Sequence, residues 1–396
     1  MAKYLHILLP AAALSQASWR ELSAENTSTT SAPAPRLGGI LAAAGPGAGY
    51  ALHGGCSSSC CYAPLSDLWL LTAAAQWVNV SAQLNAPTGR LYHGASPAAA
   101  PGASYVYGGT DVQTGTLDEL YLLTVDAGAA PSAAWAPVRA PLPHPAPRSG
   151  HSQTALGAGA PAGSFLVLGG QDDDEGVLGD AWRFAPTPGA PEEGAWSLVA
   201  NFSASGPGPR VQHSALALTL PWGAPALLLA AGTDAQGDDQ DDVWLLDLGA
   251  AAPAAQWLLL GARPAAAPPA AWPSARHGHV AWGQQAAPAG PTGSAATLSF
   301  YLFGGQDGPV PDPPKFLSDT WLFTVNVTQG VAGGVALAGG QGAFSPVRPA
   351  AAPSARALAG VAATASATVL AGGFAGYNGG TDDRLLNDVW QVEGGR

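Results

Sequence analysis

One motif recurs along this chain and sets what it can fold into: a short apolar run that ends on two glycines. The copies read GYALHGG to Gly54–Gly55, SYVYGG to Gly108–Gly109, SFLVLGG to Gly169–Gly170, ALLLAAG to Ala231–Gly232, FYLFGG to Gly304–Gly305 and ATVLAGG to Gly372–Gly373. About 10–15 residues on, each copy continues with an acid, one small or apolar residue, and an aromatic. The acids are Asp67, Glu119, Asp180, Asp242, Asp319 and Asp388; the aromatics are Trp69, Tyr121, Trp182, Trp244, Trp321 and Trp390. A second tryptophan usually follows, at Trp77, Trp135, Trp196 and Trp257. Upstream of each glycine pair stands an arginine: Arg36, Arg90, Arg148, Arg210, Arg276 and Arg356. Three residues past four of them lies a histidine, His93, His151, His213 or His279, with Gly39 and Ala359 in the first and last copies.

These segments are short, aromatic and β-branched, and Gly, Pro and Asp bound them, which is strand composition at regular spacing. Four strands per copy fit: one after the Arg, one ending at Gly-Gly, one through Asp-x-Trp, and one at the second Trp. Such a sheet cannot bury both faces alone, so neighbouring copies must stack. Six four-stranded antiparallel sheets set radially make a β-propeller. Glycine ends the second strand because it accepts positive φ and lets another backbone come close. The six acids and six arginines, recurring once per copy, read as hydrogen-bonding and packing positions.

Gly-Gly after an apolar strand, then Asp-x-Trp/Tyr, then Trp, then Pro-x-x-Arg, resembles the kelch repeat over roughly residues 19–392. The expected fold is an all-β, six-bladed kelch-type β-propeller in residues 18–396. Its blade cores lie at about 36–77, 90–135, 148–196, 210–257, 276–348, and 356–392 with 18–24. Repeat lengths of about 52–80 residues exceed the usual kelch unit, with the excess in Ala/Pro/Gly loops. The last copy, NDVWQVEGGR, has no second Trp, while SWRELS near the start has no partner. The Trp19 strand is therefore expected to complete the last blade and remove an exposed edge. The fifth copy also lacks a Trp after Trp321, so its fourth strand is sought in 330–348, around AFSPV and Phe344.

Gly (52) and Pro (36) exceed a fifth of the chain, yet 47% apolar residues and 13 Trp argue against disorder. The formal net charge of −12, with no local Lys/Arg cluster, opposes nucleic acid and anionic lipid. Residues 1–17 resemble a secretory signal peptide: Lys3, a short apolar run from Tyr4 to Leu14, then Ser15 and Ala17. The alternative is a plain N-terminal strand or helix. The run is too short to span a bilayer. Sequons at Asn26, Asn79, Asn201 and Asn326 lend modest support to a secreted or luminal glycoprotein, with a cytoplasmic location as the alternative. Cys56, Cys60 and Cys61 lie in one loop, GGCSSSCCY. Cys56 with Cys60 or Cys61 can staple that loop, the thiols can be inert, or they can serve a metal or redox role.

No G-x-S-x-G elbow, Walker loop, H-E-x-x-H or EF-hand pattern occurs. The most distinctive features outside the repeat are acidic loops after the glycine pairs: Asp172, Asp173, Asp174 and Glu175; Asp234, Asp238 and Asp239; Asp307; Asp382 and Asp383. In kelch propellers such loops share one rim, which commonly forms part of the binding face. They read as solvated turns, as a surface for a basic partner, or as weak Ca²⁺ ligands. Some kelch-fold propellers are copper-radical oxidases, which need a Tyr cross-linked to a Cys, a second Tyr and two His. Here all Cys sit in one loop and the histidines repeat with the blades, so that reading is disfavoured. Plant specifier proteins use a Glu-Asp-His spacing, and DDDEGVLGD lacks the His. The expected function is a non-catalytic, monomeric protein-interaction scaffold without cofactor or metal. With the repeats filling the sequence, no appended BTB-like or F-box-like segment is expected. A glycan-binding propeller is the alternative, using Trp222 and Trp272 as exposed stacking aromatics.

Overall fold

The computed structural model describes residues 18–23, 32–45, 49–58, 61–81, 85–128, 130–157, 159–202, 206–249, 256–264, 271–289, 293–308, 315–330, 334–349, 351–363, 368–378 and 382–393. The expected signal peptide, Asn26 and Cys60 lie outside the described residues. Among those described, the secondary structure is all strand, and all named strand pairs are antiparallel. The third copy shows the plan: Ser152–Ala155, Phe165–Leu168, Asp180–Thr187 and Ala190–Asn201 pair in that order. Each of the six sequence copies forms one sheet on this plan, and the chain is a β-propeller.

The second strands read as continuous apolar runs because both of their faces are buried. In ALLLAAG, Ala226, Leu228 and Ala230 pack toward the fifth sheet, while Leu227 and Leu229 pack toward the third. Apolar clusters of this kind fill each junction around the molecule. The last joins Val369, Ala371 and Val389 of the sixth sheet to Leu41, Leu52 and Trp69 of the first. The innermost strands are Ile40–Ala43, Gly94–Pro97, Ser152–Ala155, Ser214–Thr219, Val280–Pro288 and Gly360–Ala363, and they surround the axis.

Two sheets depart from four strands. In the fourth, Arg210–Val211 and Ser214–Thr219 both pair with Pro225–Asp234. In the fifth, Thr320–Gln329 is long enough to carry two outer strands end to end. Ala343–Val347 pairs along Thr320–Thr324, and Val335–Leu337 along Val327–Gln329. Phe344 lies opposite Phe323 and is buried, filling the place of the missing second tryptophan. Ser18–Ser23 pairs with Asp382–Glu393, Trp19 opposite Val392, so the sixth sheet takes its outer strand from the start of the chain. Trp19 is buried against Trp282 and Phe303 of the fifth sheet.

A closed circuit of backbone hydrogen bonds runs around the axis. Tyr92 N–H donates to the Gly38 carbonyl, Gly150 to Tyr92, Gln212 to Gly150, Gly278 to Gln212, Leu358 to Gly278, and Gly38 to Leu358, at 2.8–3.0 Å. Each residue sits two places after its arginine, and all six have φ between 55° and 65°. Glycine and a larger residue alternate around this ring.

Candidate functional site

The arginine, the acid and the aromatic of each copy form one knot. Arg356 Nη1 and Nη2 donate to Asp388 Oδ1 and Oδ2 at 2.6 and 2.7 Å, and Trp390 Nε1 donates to Asp388 Oδ2 at 2.7 Å. Arg36–Asp67, Arg148–Asp180, Arg210–Asp242 and Arg276–Asp319 repeat this bidentate pairing. The second copy changes two residues together. Glu119 takes a single bond from Arg90, and Tyr121, which has no indole N–H, lies with its ring 5.5 Å from the guanidinium. All six arginines also donate to the carbonyl of the first residue of the glycine pair, at 2.9–3.0 Å. The second glycine's N–H then donates to the next copy's arginine carbonyl, from Gly55 to Arg90 through to Gly373 and Arg36. A Cβ on Gly304 would stand 2.7 Å from the Arg356 carbonyl oxygen, so the pair must be small for the sheets to meet. Burial resists ionisation of Asp67 and Asp319, but the arginine bonds and charge win and hold both carboxyls below the usual range.

The histidines are wedged at the same junctions. His53 Nδ1 and His93 Nε2 are hydrogen bonded at 3.1 Å, and His213 Nε2 meets Ser152 Oγ at 3.0 Å. Burial, aided by the nearby arginine charges, pushes His53, His151, His213 and His279 down to about 3, and His93 well below its ordinary value. These rings are neutral packing groups at physiological pH. Among the described residues no cluster of three or more His, Cys, Asp or Glu could hold a metal ion.

The glycine pairs, the axial ring and the acidic loops share one end of the sheets. Bridges such as Leu91 to Thr110, Ser149 to Gln171 and His277 to Gln306 tie the arginine segments to the loops that follow the glycines. Three of these loops are two-residue-paired hairpins: Thr110–Asp111 with Gly115–Thr116, Gln171–Asp172 with Gly176–Val177, and Gln306–Asp307 with Lys315–Phe316.

The acids in them do different jobs. Asp172 is buried; its Oδ1 accepts from the N–H groups of Asp174 and Glu175 and shapes the turn. Asp173 accepts from Thr116 N–H of the neighbouring hairpin. Asp234 caps its own turn through the N–H groups of Gln236 and Asp238. Asp239 joins His277 Nδ1 at 2.7 Å, Thr233 Oγ1 at 2.8 Å and Gly308 N–H at 3.2 Å, clasping the fourth and fifth loops. Its pKa is lowered, with burial opposing and the His277 bond prevailing. Asp307 is half-buried opposite Lys315, and Asp382 and Asp383 lie in the sixth sheet's long strand. Asp173, Asp174, Glu175 and Asp238 remain exposed, with the exposed apolar Tyr62 and Val112 at the same end.

The expectation of exposed stacking aromatics needs correction, whereas the loop staple is one of the cysteine readings left open above. Trp272 is buried beneath Phe344 and donates its Nε1–H to the Asp241 carbonyl, and Trp222 is half-buried against the apolar cluster of the fourth and fifth sheets. Neither offers an open stacking face. Cys56 is bonded to Cys61, which closes the loop between the first sheet's middle strands.

The axial ring and the His277–Asp239 clasp were not anticipated. The alternation Gly38, Tyr92, Gly150, Gln212, Gly278, Leu358, two places past each arginine, is the sequence trace of the ring. A cavity of about 400 Å³ lies along the axis between the innermost strands.

Known proteins share these features. A curated human protein, multiple epidermal growth factor-like domains protein 8, is 32% identical over 142 residues. That stretch is 36% of this chain and 4% of the human protein. Among solved structures, that of YjhT matches with a TM-score of 0.56 over 92% of this chain and 98% of its own, at 12% identity, a likeness of fold alone. The kelch-repeats domain described for KLHDC2, KLHL20 and DRC7 matches residues 50–285. With that match spanning more than half its length, and with an arginine–acid knot in every sheet, this chain belongs to the kelch-repeat family.

Proposed function

We propose that the protein is a non-catalytic interaction scaffold that binds a basic protein through the loops at the glycine end of its propeller. Kelch-repeat propellers commonly serve as protein-interaction scaffolds. The observation that carries the choice of face is the set of exposed acids there, Asp173, Asp174, Glu175 and Asp238, at the same end as the exposed apolar Tyr62 and Val112. Acids speed the encounter with a cationic partner, and desolvated apolar side chains hold it. The same reading makes the protein secreted or luminal. The Cys56–Cys61 disulfide suits an oxidising compartment, and Asn79, Asn201 and Asn326 all present exposed side chains for glycosylation.

The test is affinity capture with the wild type and a variant carrying Asp173→Asn, Asp174→Asn, Glu175→Gln and Asp238→Asn. Asp172 and Asp239 are left alone because they hold the loops together. A salt-sensitive partner caught by the wild type and lost by the folded variant supports the reading. A partner retained by the variant, or none for either bait, sinks it.

A further inference from the structure

The loop after the first glycine pair closes differently from its counterparts. In the second, third and fifth copies the residue that follows the pair starts a short hairpin: Thr110 pairs with Thr116, Gln171 with Val177 and Gln306 with Phe316. The next leucine then donates its N–H to the second glycine's carbonyl, Leu117 to Gly109, Leu178 to Gly170 and Leu317 to Gly305. The first copy keeps that last bond, Leu65 to Gly55 at 2.8 Å, but among the described residues its loop has no paired strands. Pro64, a residue that strands avoid, stands where those copies have Thr116, Val177 and Phe316. Cys56 takes the place of Thr110, Gln171 and Gln306, and its covalent bond to Cys61 replaces the hairpin.

The bond is placed so that the fold does not depend on it. It joins residues 5 apart, and closing so short a loop restricts the unfolded chain little. The first sheet is held independently, by Arg36 on the Gly54 carbonyl and Asp67, and by Gly55 N–H on the Arg90 carbonyl. The two sulfurs are unequally placed. Cys56 is 1% exposed, whereas Cys61 is partly exposed and held at φ 24°, a conformation that L residues rarely adopt. An accessible, strained cysteine makes a reducible disulfide rather than an inert one. Directly after it comes Tyr62, 84% exposed. Cys61 packs on Leu37, Leu91 and Phe374, beside Tyr92 and Leu358 of the axial ring, so the staple fixes where Tyr62 stands on the glycine end.

We propose that the Cys56–Cys61 disulfide is a redox latch on the first loop of the glycine end. Oxidised, it holds Tyr62 as a fixed contact for the partner; reduced, it releases the loop while the six sheets stay closed. The contact rests on the function proposed above, and the latch does not. The reductant is a dithiol. One of its thiolates attacks Cys61 Sγ, the S–S bond breaks, and Cys56 Sγ leaves with the electron pair and takes up a proton. The reductant's second thiol then displaces Cys61 from the mixed disulfide. The protein gains two electrons and two protons, and the dithiol leaves as a disulfide.

The experiment is hydrogen exchange read by mass spectrometry, before and after reduction with dithiothreitol. It uses the full chain carrying Cys60→Ala, which leaves one possible internal disulfide. We expect exchange to rise about tenfold or more in residues 61–65 and to change less than about twofold in the six sheets. Affinity capture with the same two states should weaken on reduction. Tyr62→Ala should weaken capture by the oxidised protein about tenfold and remove its dependence on redox state. Unchanged exchange in 61–65 after reduction, or an increase spread over the sheets, overturns the latch. Capture that ignores Tyr62→Ala, yet is lost on replacing Asp173, Asp174, Glu175 and Asp238 as above, overturns the contact and leaves the function standing. No partner for any bait overturns both the contact and that function, and the exchange comparison still decides the latch.

Discussion

Mild acid should destabilise this protein before its carboxylates titrate. Four histidines, His53, His151, His213 and His279, are buried, and burial with the neighbouring arginine charges depresses each from 6.5 to about 3. The folded state therefore refuses a proton that the unfolded chain accepts below about pH 6.5. Stability is complete above that pH and is lost progressively as pH falls toward 3. Each unit of difference corresponds to about 1.4 kcal/mol, so at about pH 5 each histidine costs about 2 kcal/mol and four cost about 8 kcal/mol as a ceiling. Water penetration and local relaxation reduce this to roughly 4–8 kcal/mol, against a typical total stability of about 5–15 kcal/mol. Asp67 and Asp319 have lowered pKa values and lose stability in the same direction, but only once pH drops below about 4. The interval between about pH 6.5 and pH 5 thus isolates the histidines. Urea titrations followed by tryptophan fluorescence at both ends of that interval, for wild type and His279→Gln, measure the effect. Equal unfolding free energies at the two pH values would refute the reasoning, as would a His279→Gln protein with an undiminished pH slope.

The knots and the glycine pairs give two further tests. Asp388→Ala leaves Arg356, 1% exposed, without its partner and should cost about 3–5 kcal/mol. Glu119→Ala should cost less than half as much, because Glu119 is 44% exposed and makes one bond, and equal losses in chemical denaturation would contradict this ranking. Gly304→Ala should cost more than the roughly 1–2 kcal/mol of a left-handed backbone, because its Cβ also meets the Arg356 carbonyl. Gly293→Ala has the same φ of 65° but open space around it, so matching Tm losses for the two would show that sheet contact is not the constraint.

Much of this architecture was legible because it repeats. Arg, Gly-Gly and Asp-x-Trp recur in register, and each copy satisfies the same bonds, so six weak signals became one strong one. Trp19 and Phe344 could be placed by asking which copy lacked an outer strand. What could not be read depends on contacts across sheets that no local pattern encodes. Trp272 stands among Pro and Ala and reads as a loop residue, yet its segment folds back beneath Phe344. Asp172, Asp173 and Asp174 look alike in sequence, but one is buried in its own turn, one reaches the next hairpin and one faces solvent.

The pairing of Ser18–Ser23 with Asp382–Glu393 has a consequence for biosynthesis. A ribosome makes the first of these strands more than 350 residues before its partner. Until then the early strand has no place to dock, and neither the sixth sheet nor the circuit through Gly38 and Leu358 can close. The emerging chain is an open fan whose earlier sheets can stack in turn, with one sheet-sized gap and one waiting ribbon. Synthesis at about 5–20 residues per second makes that wait tens of seconds, during which the unsealed edges are the surface a chaperone would meet.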